Sequence, residues 1–147
     1  MTTWGEFAAA APELAAFGEA RFREAEVAYV ATVRKDGSPR VHPTTPILWG
    51  GRLFLFMEPT SPKGRDLRRE PRYAMHSLVT DQDGSPGEFH IKGRGQPVDD
   101  PAVRARVAEA APYEPAERYV LFEFSVEEAA STRYAGKEPV RRRWRAG

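Results

Sequence analysis

The chain contains no cysteine, which removes disulfide frameworks, thiolate metal sites and cysteine nucleophiles from consideration. It also lacks any apolar run near the roughly 20 residues that a membrane-spanning helix needs. Charge of one sign is scarce. Twenty-two Lys and Arg stand against 21 Asp and Glu, a net +1, so the chain is no general polyanion binder and any basic function is local. No ribonucleoprotein, KH or helix-turn-helix signature is present, and no nucleic-acid partner is expected. Histidine occurs three times, at His42, His76 and His90, on three separate expected strands, and no metal site is expected. The opening "MTTWGEFAAAAPELAAFGEARF" has no basic segment before its alanines and is interrupted by acids, unlike a signal peptide, so a cytoplasmic location is expected. What is present is a 147-residue chain, 41% hydrophobic, enough for one domain with its own core.

The periodicity divides the chain. Trp4, Phe7, Leu14, Phe17 and Phe22 fit one or two amphipathic helices over residues 3–25, with Pro12 at a first turn or break. "VAYVATVR" then reads as a strand ending at Asp36-Gly37, a hairpin signal. In "VHPTTPILW", Pro43 and Pro46 require an edge, bulged or interrupted strand. Gly50-Gly51 turns the chain into "RLFLFME". "RYAMHSLV", "EFHIKGRGQPV", "RYVLFEFSVEEAASTRY" and "EPVRRRW" are further strands, with Gly93 and Gly95 as bend or bulge points. "DDPAVRARVAEAA" is a short helix capped by Asp99 or Asp100. The expected fold is a small antiparallel barrel of about six strands with accessory helices, in one domain over 1–147.

One segment stands out chemically. "SPKGRDLRREPR", from Ser61 to Arg72, holds five cations against two acids. Ser61 suits an N-cap and Pro62 the first helical position, which puts Lys63, Gly64 and Arg65 in the first turn. First-turn N–H groups lack intrahelical partners and attract anions, whereas cations are disfavoured there unless an anion compensates. Gly64 allows close approach of a ligand, Leu67 is the buried anchor, and Pro71 ends the helix at Glu70. Two readings follow from the residues alone: a solvated basic helix, or a phosphate site that is not a nucleotide P-loop.

The succession "VAYVATVRKDGSPRVHPTTPI", a Gly-Gly turn, "RLFLFME" and "SPKGRDLRREPRYAMHSL", then "GEFHIKGRGQPVDDP", resembles the pyridoxamine 5'-phosphate oxidase-related superfamily over residues 25–145. The resemblance implies a split β-barrel, homodimeric, with a flavin-type cofactor in each interface groove: FMN, or alternatively the deazaflavin coenzyme F420. It implies that Arg40, Ser61, Lys63 and Gly64 border the phosphate or ribityl chain. Val41, His42 and Pro43 would lie along the ring edge, Phe56 and Met57 on the strand lining the cofactor, and Trp144 near it from the C-terminus. The function implied is hydride transfer to a small conjugated substrate; the alternative is flavin or haem binding without turnover. The chain ends "EPVRRRWRAG" and carries Pro62-Lys63 in place of the usual Arg-Lys pair, which points away from vitamin B6 oxidation. The residues leave Arg141, Arg142, Arg143 and Arg145 open between an exposed tail and an anion-binding edge.

Overall fold

The computed structural model describes residues 1–147. Two helices lead, α1 (Trp4–Ala10) and α2 (Pro12–Ala25), broken where Pro12 cannot continue the first. Strands β1 (Ala28–Val33) and β2 (Pro39–Thr44) form the first hairpin, and β3 (Ile47–Trp49) and β4 (Arg52–Met57) the second. Gly50 and Gly51 join the latter pair at φ 60° and 71°, the two positive values a type I′ turn requires. Helix α3 (Pro62–Arg69), β5 (Arg72–Ser77), β6 (Glu88–Pro97) and α4 (Pro101–Ala110) follow. The chain closes with β7 (Val120–Phe124), β8 (Glu128–Ala135) and β9 (Glu138–Arg145).

All strand pairs are antiparallel, and the sheet runs β2-β1-β5-β6-β7-β4-β3, with β8 also on β6 and β9 on β8. Strand β6 is the corner. Its first half, through Lys92, pairs with β8, and from Gly95 onward it pairs with β7. The bend is steric. A Cβ on Gly93 would stand 2.2 Å from the Ser125 carbonyl oxygen, and one on Gly95 would stand 2.5 Å from the Phe124 ring. Only glycine lets the two halves approach so closely.

This curled, mainly β architecture agrees with the split barrel, but there are nine strand segments rather than about six. Divided strands account for two of the extra segments. Pro46 separates β3 from β2, and the "RYVLFEFSVEEAASTRY" segment is two strands, because Ser125–Glu127 turn the chain around the β6 corner. There the Ser125 and Glu127 N–H groups donate to the carbonyls of Arg94 and Lys92. Strand β2 carries Pro39 and Pro43 and lies at the edge, where a missing donor costs no ladder bond.

The main core gathers Trp4, Phe7 and Phe22 from the helices around Phe89 of β6. A second core, Ile47, Phe54, Phe56, Val107 and Leu121, lies under α4. Asp100 caps α4 by accepting from the Ala102 and Val103 N–H groups. No helix is long and apolar enough to cross a membrane.

Candidate functional site

Helix α3 begins as its sequence dictates. Ser61 is extended (φ −64°, ψ 139°), and its hydroxyl accepts from the Gly64 N–H at 3.1 Å. The Arg65 N–H bonds the Ser61 carbonyl. Pro62 has no N–H, so the Lys63 N–H is the first-turn donor left without a protein partner. The Gly64 amide is thus taken by the cap. Gly64 itself is buried, and a Cβ there would meet the Ser61 Oγ at 3.0 Å and the Met57 Sδ at 3.1 Å. Its small size lets the helix start seat against β4.

Below the helix start lies Asp66, 2% exposed. It accepts from the Thr32 hydroxyl at 2.8 Å, from Arg40 Nε at 2.7 Å and from Arg69 Nη2 at 3.0 Å. Arg69 also donates to the Val33 carbonyl at 2.6 Å. Burial pushes the Asp66 carboxyl up, but the three donors outweigh it and hold it below the ordinary carboxylate range. Asp66 therefore fastens α3 to the β1–β2 hairpin and neutralises much of the charge of Arg40 and Arg69.

Lys63 has no such carboxylate. It is half-buried, makes no ion pair, and burial alone holds its ammonium below the usual lysine range. His42 is also lowered, first by burial and then by the charges of Lys63 and Arg40. The alternation of β2 places Arg40, His42 and Thr44 on its partly covered face and Val41 and Pro43 on the exposed one. Arg40, His42, Ser61 and Lys63 thus come together into a small electropositive cluster. Its chemistry is that of an anion cradle, one free N–H and one desolvated ammonium beside a helix start.

The remaining expected site residues are placed elsewhere. Phe56 is buried in the second core under the Arg104 guanidinium, 5.1 Å from its ring centroid. Met57 is buried in the main core against Gly64. Trp144 faces inward, its ring 5.0 Å from that of Phe7. Val41 is 64% exposed on the outer sheet face, away from Lys63. His76 and His90 are cross-strand partners with rings stacked 6.0 Å apart, well away from His42 on the edge strand. Sequence reading missed Asp66 and Thr32. The signal available was the single Asp within a basic helix, but its partners lie 26 and 34 residues away in sequence.

The fold defines a class, the mainly β split barrels with a curled antiparallel sheet. The chain belongs to the pyridoxamine 5'-phosphate oxidase family, whose model matches residues 14–133. No curated protein matches in sequence. Among solved structures it is similar to a haem-binding protein from Mycobacterium smegmatis (TM-score 0.68, 20% identity, 88% of this chain). This chain spans 57% of that protein. It is similar to a NimC/NimA family protein from Clostridium acetobutylicum (TM-score 0.65, 18% identity, 86% of this chain and 90% of the other). A third similar structure is an F420 reductase (TM-score 0.55, 24% identity, 70% and 87%). At these identities the likeness establishes the fold.

Proposed function

We propose that this protein is an oxidoreductase that binds a flavin-type cofactor, FMN or the deazaflavin F420, by its phosphate at the start of α3. The observation that carries the reading is Lys63, a half-buried cation with no carboxylate partner beside a free N–H, while Arg40 and Arg69 next to it are held by Asp66. A desolvated, unpaired ammonium costs stability and is explained by an anion that arrives later. Family membership and the likeness to an F420 reductase support the cofactor class.

In this reading Lys63 supplies the charge and one backbone donor, and Ser61 fixes the helix start. His42 lies at the junction of phosphate and ring. Val41 and Pro43 continue along β2 with Tyr29, all on the outer sheet face. The cofactor, when bound, supplies the hydride chemistry; the protein orients it and shields it from water. Val41 is 64% and Tyr29 41% exposed, and we assign this apolar strip to the contact between two copies in a homodimer, checked by sedimentation at micromolar concentration.

The test compares Lys63→Ala with Arg68→Ala. Lys63→Ala weakens cofactor binding about ten- to a hundred-fold, the worth of one charge-assisted contact. It also leaves the melting temperature without cofactor unchanged or raised, because a buried charge has been removed. Arg68, stacked over Phe122 at 5.6 Å and a turn further on, changes affinity little. Equal affinities in wild type and both variants would make α3 a solvated basic helix. A Soret band in the purified protein, with no flavin or deazaflavin absorption, would instead favour haem binding, the property in the name of the M. smegmatis structure.

A further inference from the structure

Two of the three histidines lie outside the α3 cluster, and they face each other. His76 of β5 and His90 of β6 are directly opposed on the outer sheet face, their rings 6.0 Å apart and within 7° of parallel. The same cross-strand row continues through Tyr29 to Pro43 on one side and through Ala130 to Arg143 on the other. A groove of about 440 Å³ joins the pair to the apolar strip. It is lined by Val41 and Tyr29 of the strip, by Ala74, and by His76, His90 and Glu88.

The two rings are not equivalent. His76 Nδ1 lies 2.6 Å from the Ser77 carbonyl oxygen, so that nitrogen carries the proton, and Nε2 is directed at Glu88, 3.4 Å away. A proton taken up at His76 Nε2 therefore meets a carboxylate. His90 has its neighbour's ring and no hydrogen-bond partner. Around it stand His76 on β5 with Tyr29 of β1 beyond, Glu88 and Lys92 on β6, Glu128 on β8, and Arg141 and Arg143 on β9. Glu128 is taken by Lys92 and Arg145, and Glu88 faces His76, whereas Arg141 and Arg143 have no carboxylate partner. Partial burial, then the charges of His76 and Lys92, hold the His90 imidazole below its ordinary range. One carboxylate thus serves two imidazoles, and a proton on His90 has no counter-charge of its own. On a face open to water this costs little. Beneath a second protein surface it is an uncompensated buried charge.

Given the homodimer contact assigned above to the Val41 and Tyr29 strip, on which this reading rests, we propose that His90 makes that contact pH-sensitive: two copies associate while the imidazole is neutral and separate when it takes up a proton. A two-fold axis sets the same row against itself, so both His90 rings are covered together. In the free chain His90 titrates below 6.5, and covering it lowers it further, so association releases protons and is strongest above that range. Below it, the loss of two protons per dimer weakens association by up to about a hundred-fold per pH unit.

The experiment is sedimentation equilibrium of the full-length protein at micromolar concentration, at pH 8 and at pH 5, with circular dichroism on the same samples. A dimer at pH 8 is expected, with association weakened at least about ten-fold at pH 5 while the fold is retained. His90→Gln keeps a neutral side chain at every pH and associates equally at both. His90→Lys fixes a charge at the same place, and at pH 8 it dissociates as the wild type does at pH 5. The proposal is overturned by equal association of the wild type at the two pH values, by a pH dependence that His90→Gln retains, by a His90→Lys variant that associates like the wild type at pH 8, or by loss of the fold at pH 5. A wild type that is monomeric at pH 8 is a separate failure, because it removes the homodimer contact itself and the proton control with it.

Discussion

Asp66→Asn tests the logic of the site at its most buried point. The carboxylate is 2% exposed and accepts three hydrogen bonds, from Thr32, Arg40 and Arg69. Asparagine keeps one acceptor but turns an amide NH2 toward a guanidinium and leaves both cations without their counter-charge. Removing one partner of a buried ion pair costs about 3–5 kcal/mol. Here the Arg40 and Arg69 side chains keep 22% and 38% exposure, so water recovers part of the loss, and about 2–3 kcal/mol is expected. For a chain of this length that corresponds to roughly 6–12 °C in melting temperature. The assay is urea unfolding with m held in common, repeated from pH 7 to pH 2. The Asp66 carboxyl titrates below its unfolded value of 3.8, so its contribution is complete above that pH and is lost as pH falls through the lower folded value. The wild type should therefore lose stability below about pH 4 and the variant should lose less there. A variant within about 0.5 kcal/mol of wild type, with the same acid branch, would refute the role given to Asp66.

His42 offers a pH test of the electropositive cluster, and Gly93 a test of the barrel corner. Burial and the charges of Lys63 and Arg40 hold His42 below its ordinary value of 6.5, so the unfolded chain takes up that proton first and stability falls as pH drops from 6.5 toward the folded value. Titration of the imidazole by NMR should show it rising in Lys63→Ala and on adding FMN; a free-protein value at or above 6.5 contradicts the cluster. Gly93→Ala drives a methyl to 2.2 Å from backbone at Ser125, which cannot yield as a side chain would, so a loss of about 2–3 kcal/mol or failure to fold is expected, and a wild-type melting temperature would show that the corner tolerates a Cβ.

The sequence alone determined whatever rests on neighbours along the chain. The Asp36-Gly37 and Gly50-Gly51 turns, the break at Pro12 and the Ser61-Pro62 start of α3 are local backbone chemistry, and each stands where the residues put it. The order of those elements carried the family resemblance, and with it the split barrel. The tertiary structure decided what depends on distant partners. Nothing near Asp66 in sequence says that it holds Arg40, and nothing in "VRRRWR" says that Arg142 and Arg145 are paired while Arg141 and Arg143 are not. The fate of Phe56, Met57 and Trp144 was equally invisible, since an apolar residue at a strand end reads the same whether it lines a ligand or a core. Gly64 shows the division most directly. Its place in the first turn followed from the local sequence, but the neighbour that its missing side chain makes room for comes from β4, which brings the Met57 sulfur within 3.1 Å of where a Cβ would stand.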